Sequence, residues 1–312
     1  MDKIVKIRHR GSSHTLKRMW RYKWLYIMLI PVIAYYVVFK YIPMYGITIA
    51  FKDYNMFKGV FESPWVGTDI FAKIFKSKNF WLSIRNTLTL NLTTLAVEFP
   101  LTIIVALMLN EIRKLRFKKI TQSILYLPHF VSWVVVAGIA TNLFTMQGGT
   151  INNILNGFGI SSIPFLSDNN WWVFTYVICN VWKNIGWGTI IYLAALTSVD
   201  ESLYEAAYLD GASKFQRLVY VTLPCIKPVI VTMLILSLSR MMSIGLDAPL
   251  LLGNKKVIGV SEVISTYVYR LGIESAKYSE STAIGLFQSV TNIIILFVAD
   301  RFAKLIGEDG IL

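Results

Sequence analysis

Residues 205–228 read EAAYLDGASKFQRLVYVTLPCIKP, a polar and partly helical insert between two strongly apolar runs. Glu205-Ala206-Ala207 is followed after three residues by Gly211, then after nine more by Val221, and then by Leu223-Pro224. Asp200 is placed to cap a short helix over residues 201–210, with Glu201 and Glu205 near its positive end. Gly211 can take the positive φ that ends such a helix. A second helix follows with Phe215, Leu218, Val219 and Val221 as an apolar stripe, and Leu223-Pro224 is expected to stop it. Ala206 and Ala207 keep one surface shallow, so that a partner can approach the backbone closely. The plainer reading is an amphipathic loop lying on lipid headgroups. Such a loop has no need of Glu-Ala-Ala, Gly and Leu-Pro at fixed offsets, so residues 199–228 are read as a docking elbow.

Around the elbow the chain is built for lipid. Of its 312 residues 55% are hydrophobic and 16% charged, with a mean hydropathy of +0.54, whereas a soluble domain carries roughly a quarter charged residues. Six runs match the span of about 20 residues that crosses a bilayer: 24–42, 82–109, 120–144, 171–197, 228–246 and 282–305. The predicted fold class is an all-α integral membrane protein of about six transmembrane helices. Residues 24–305 form the membrane domain, between a basic tail at 1–23 and a short tail at 306–312. Alternating the loops from an inside N-terminus, with Lys40 at a span end counted outside and Arg301 and Lys304 at another counted inside, puts 18 Lys and Arg inside and 10 outside, with Arg85, Lys183 and Arg240 within spans. That bias predicts cytoplasmic N- and C-termini and puts the elbow, between spans four and five, in the cytoplasm. The basic tail is therefore read as a topology signal rather than a nucleic-acid arm, and it precedes no small-residue cleavage site. Cys179 and Cys225 show neither pairing logic nor metal spacing. Trp171-Trp172 reads as an interfacial pair after the Gly- and Asn-rich loop 146–168.

The elbow resembles the coupling motif of the integral-membrane permease subunits of bacterial ABC importers that work with a binding protein. Glu205, Ala206, Ala207, Asp210, Gly211, Ala212, Leu223 and Pro224 carry the likeness, and Val221 replaces the usual isoleucine. Tyr126-Leu127-Pro128, Leu143-Phe144, Gly149, Asn152, Asn86-Thr87 and Asn110-Glu111-Ile112 extend it toward the sugar permeases, within them the oligosaccharide and polysaccharide branch. The resemblance implies a multi-pass protein of the bacterial plasma membrane that imports a carbohydrate. It also implies a distinct second permease subunit, two ATPase subunits that receive the elbow in a groove, and an extracellular substrate-binding protein. The chain has no Gly-x-x-x-x-Gly-Lys-Ser/Thr loop of its own. ATP and Mg are accordingly expected on the partner subunits, and this chain is expected to be non-catalytic, with no cofactor and no nucleic acid.

Ionisable groups inside spans are costly and by default mark a polar pathway. Glu98, Lys183 and Arg240 qualify, while Arg85 lies near enough to a span end to snorkel. Counting residues from the span ends puts Lys183 and Arg240 at similar depth, so that both are expected to line one cavity. Asn184 and Trp187 beside Lys183 suit a sugar, which offers hydroxyls and C–H faces, and two cations favour an acidic one. Pairing of Glu98 with Lys183 or Arg240 as a bundle-stabilising contact is the competing reading. The rival function is a stand-alone ion-coupled carrier or channel using the same charges, against which no internal repeat is visible.

Overall fold

The computed structural model describes residues 20–305 together with Gly307 and Gly310. The basic tail lies outside the described residues up to position 19, as does most of the tail at 306–312. Helix α1 (Lys23–Tyr36) has no buried residue and runs on through a π turn, Val37–Tyr41, into a 3-10 stretch, Ile42–Phe51. That last stretch packs by Ala50 and Phe51 against the final helix. The body is formed by α2 (Lys78–Asn110), α3 (Leu115–Tyr126), α4 (Trp133–Phe144), α5 (Asn169–Thr197), α6 (Glu201–Leu209), α7 (Lys214–Arg217), α8 (Leu223–Leu238) and α9 (Tyr278–Leu305). No strand occurs among the described residues, only an isolated bridge between Lys52 and Trp65.

Four helical stretches are long and apolar enough to cross a membrane: Lys23–Phe51, Lys78–Asn110, Lys214–Leu238 and Tyr278–Leu305. A fifth is counted if Leu115–Phe130 and Trp133–Phe144, bent by 99° at their junction, are taken as one broken span. The predicted fourth span is the 29-residue helix α5, whose polar residues keep it out of that set despite its length.

Three expectations are corrected in detail. The third span, 120–144, is not one straight helix. Pro128 falls in a 3-10 turn, Val131 is extended, and the Ser132 side chain caps α4 by accepting from Val135 N–H, so the run breaks where proline removes a backbone donor. Leu223-Pro224 does not stop the second elbow helix. A π turn at Leu218–Thr222 precedes the proline, and the Leu223 N–H reaches back to Leu218 O. Pro224 thereby falls in the first turn of α8, where a missing N–H is harmless, and Lys214–Leu238 runs on as one 25-residue stretch. The fifth span therefore starts and ends earlier than 228–246, and its predicted last residues are not helical.

Trp172 is the third case. Rather than anchoring at an interface it is fully buried, its indole N–H donating to Leu252 O at 2.9 Å, while Trp171 stays partly exposed. Burying so large a ring with its one donor satisfied is the stable alternative to a headgroup position. Helices α2 and α5 run along one another and carry the packing. Ala106 and Leu109 meet Tyr192, Leu193 and Leu196, with Ile226 of α8 completing that cluster. Amides then pin the loops: Asn86 donates to Gly259 O and Glu262 O, and buried Asn152 bonds Thr145 O and Ile163 in both directions.

Candidate functional site

The elbow is a two-helix corner tied at both ends of its turn. The Asp200 carboxylate accepts from Ser202 N–H at 2.9 Å and opens α6; this bond holds its own carboxyl below the usual carboxylate range. Gly211, at φ +78°, closes it. Ala212 N–H donates to Ala207 O and Gly211 N–H to Tyr208 O, the paired closure that needs a left-handed residue. Ser213 and Gln216 then form a reciprocal capping box that starts α7. Tyr204 and Thr222 share a hydrogen bond of 3.0 Å that ties the two arms. Arg217 lies over the Tyr208 ring at 5.7 Å.

What this corner presents outward is apolar. Leu203, Tyr208, Leu209 and Phe215 are exposed, Leu209 by 84%, and Glu205 and Ala206 are exposed beside them. Ala207 and Ala212 are half-buried, and Asp210 and Gly211 lie open at the turn. Leu223 and Pro224 are not part of that surface but belong to the start of α8. At the base of the elbow a groove of about 340 Å³ runs between Asn110-Glu111 at the end of α2 and Lys214, Phe215 and Leu218.

The intramembrane charges divide. Glu98 and Arg240 line one cavity of about 250 Å³ with Asn91, Thr102, Tyr192, Ser237 and Ser243. Arg240 is exposed there, in a non-helical turn beyond the end of α8 rather than within a helix. Lys183 does not line this cavity. The residue is 8% exposed, and its ammonium donates to His129 O at 2.7 Å, to Pro128 O at 3.4 Å and to Val131 O, and lies 5.9 Å from the centre of the Trp133 ring. The break between α3 and α4 leaves His129 O and Val131 O without a helical donor, while Pro128 O also accepts from Val131 N–H at 3.1 Å, and a lysine supplies three donors for them. Trp187 stacks on His129 at 4.6 Å with 5° between planes, beside the same break, and Asn184 is half-buried nearby. Residue counting erred because it assumed straight spans.

Sequence reading missed Asn91, Tyr192, Ser237 and Ser243. The available signal was an uncharged polar residue in an apolar run, which needs a partner there as a charge does. Among the described residues no group of His, Cys, Asp and Glu is arranged to hold a metal ion.

A family model described as "Binding-protein-dependent transport system inner membrane component" matches residues 98–308. The chain is 43% identical over 311 residues to the polygalacturonan/rhamnogalacturonan transport system permease protein YteP of Bacillus subtilis (strain 168), covering 100% of this chain and 97% of that protein. It is 43% identical over 291 residues to Protein LplB of the same strain, covering 93% and 92%. Among solved structures it is similar to a chain of a bacterial ABC transporter involved in the import of the acidic polysaccharide alginate. The TM-score is 0.86 at 38% identity, covering 94% of this chain and 99% of that one. The alginate transporter in complex with an alginate pentasaccharide-bound periplasmic protein gives the same TM-score at 37% identity, covering 95% and 99%.

Proposed function

This chain belongs to the binding-protein-dependent transport system inner membrane components, a sugar ABC transporter permease embedded in the membrane, and from that premise we propose that it forms half of the pathway for an acidic oligosaccharide. The observation that carries the proposal is the cavity joining Glu98 and Arg240. Its polar wall of amide, hydroxyl and phenol groups suits sugar hydroxyls, and Arg240 is the only cation lining it among the described residues. A guanidinium presents a fixed fork that matches a carboxylate. Glu98, on the opposite helix, repels an anion that strays from that fork and accepts from sugar hydroxyls. The named cargoes of the similar proteins, polygalacturonan and rhamnogalacturonan in one case and alginate in the other, agree with a uronate-bearing substrate.

The second permease subunit, distinct from this one, supplies the other half of the pathway, and an extracellular binding protein delivers the sugar. Two ATPase subunits meet the elbow on the cytoplasmic side. Leu203, Leu209 and Phe215 enter a groove on the ATPase, Glu205 faces a basic group there, and the shallow Ala206-Ala207 surface lets the backbones close together. ATP and Mg are held by those subunits. Because α7 and α8 form one continuous stretch, force on the elbow reaches the cavity wall along a single helix.

The test is a reconstituted complex in vesicles, offered a galacturonate trimer or its fully methyl-esterified form. Arg240→Gln lowers uptake of the acid at least about tenfold, the worth of a lost charge-assisted bond, and leaves the ester within about threefold. Equal effects on acid and ester would falsify the substrate reading. Glu205→Ala abolishes stimulation of ATP hydrolysis by the loaded binding protein while the protein's own capture of sugar is unchanged. Undiminished uptake in that variant refutes the coupling role.

A further inference from the structure

The turn that carries Arg240 is held open by side chains from two other helices. After Leu238 the backbone leaves the helix, although the sequence through Leu246 remains apolar enough to continue one. Non-helical backbone at membrane depth is tolerated only where it lines a cavity or is satisfied by the protein. Both conditions are met here. Asn91 of α2 donates to Met241 O at 2.6 Å and to Ser243 O at 3.3 Å. From α9, Asn292 accepts from Met242 N–H at 3.1 Å and donates to Ser243 Oγ at 2.8 Å. Gln288, one turn away on the same face, donates to Met242 O at 2.7 Å and to Ser243 Oγ at 3.2 Å. Inside the turn Ser243 N–H closes onto Arg240 O at 2.8 Å. Met241 and Met242 are buried on either side of the turn, so its rotation is fixed.

We infer that Gln288 and Asn292 are specificity-determining positioning residues, which hold Arg240 out of the helix and aimed into the cavity. Neither lines the cavity, so neither touches the sugar; each acts through the backbone of Met242 and the hydroxyl of Ser243. Three amides meeting one three-residue segment outcompete the helical hydrogen bonds that the segment would otherwise make. Without them the turn regains helical bonds to α8, and Arg240 rotates away from its aim. The inference rests on the reading of Arg240 as the carboxylate receptor, and the experiment separates the two.

Uptake of the galacturonate trimer and its methyl ester is measured in the full reconstituted complex for Gln288→Met, Asn292→Leu and Arg240→Gln. Thermal midpoints and the ATPase rate stimulated by loaded binding protein report assembly. The amide variants are expected to narrow the preference for acid over ester at least about fivefold, through a raised KM for the acid at near-constant kcat. A purely structural role would move both substrates together. If Arg240→Gln erases the preference and both amide variants keep it, the positioning inference is overturned and the cavity reading stands. If Arg240→Gln itself keeps the preference, both fall. Gln288→Met leaves the Asn292 bond to Met242 in place, and it decides the matter where Asn292→Leu does not assemble.

Discussion

A lysine ammonium within a membrane helix escapes its desolvation penalty either by meeting an opposite charge or by collecting neutral acceptors. Lys183 takes the second course, with three backbone carbonyls and the face of Trp133 around it. Its charge meets the carbonyls of the bent span and lies outside the cavity that Arg240 lines, which corrects the expectation that the two share one. Arg240 differs in that it is exposed and lines the cavity, which is what the proposed carboxylate contact requires. A consequence follows for Lys183→Met. The side chain packs equally well but strands the carbonyls of His129 and Val131 at a cost of about 3 kcal/mol, whereas Pro128 O keeps its bond from Val131 N–H. We expect a clear fall in the thermal midpoint of the detergent-solubilised complex, and loss of uptake for acid and ester alike. A selective loss of the acid would return Lys183 to the pathway.

At the scale of the element, the elbow depends on how two short helices are closed and joined. A nine-residue α6 and a four-residue α7 are too short to persist alone. Their ends are therefore tied by the Asp200 cap, the Gly211 closure, the Ser213–Gln216 box and the Tyr204–Thr222 bond. Gly211 is the position where only glycine is free of strain, and open space surrounds it. Gly211→Ala thus costs about 1 kcal/mol through backbone conformation alone, without touching the docking surface. Its measurable effect is a two- to fivefold weaker stimulation of ATP hydrolysis by the loaded binding protein, with normal thermal stability of the membrane domain. Stimulation equal to wild type would show that the corner's angle is not what the ATPase reads. The π turn below it shows how a proline inside a transmembrane stretch is absorbed: one extra residue moves Pro224 into the first turn of the next segment.

The whole molecule is assembled around α5. Gly186 lies where α5 crosses α3, and a Cβ built there would overlap the carbonyl of Leu125; a Cβ on Gly188 would come within 2.9 Å of the Thr102 side chain of α2. Small residues at such crossings let helices approach without help from the hydrophobic effect, which lipid does not supply. Gly186→Ala must push α3 from α5 and disturb the Lys183 contacts one turn away, at about 3 kcal/mol. Gly285→Ala in α9 meets nothing within 4 Å and is expected to be neutral or stabilising by up to about 1 kcal/mol. Purified yield and thermal midpoint of the two variants compare them directly. Similar values for both would mean that the α3–α5 crossing does not limit assembly.

Local chemistry was enough to read the elbow's first helix and its turn from sequence, though not where the second helix ends. Asp200, Gly211 and the run of apolar stretches act through their own backbone and through partition into lipid, and neither depends on distant residues. The break at Pro128 is local chemistry as well, but the donor that meets its carbonyls is not, and neither is the unwinding after Leu238. There groups far along the chain, Lys183 in one case and Asn91, Gln288 and Asn292 in the other, supply the backbone's partners. How a membrane chain satisfies the backbone that leaves its helix is a three-dimensional bargain between carbonyls and remote donors, and so only the folded molecule decided which charge faces the cavity.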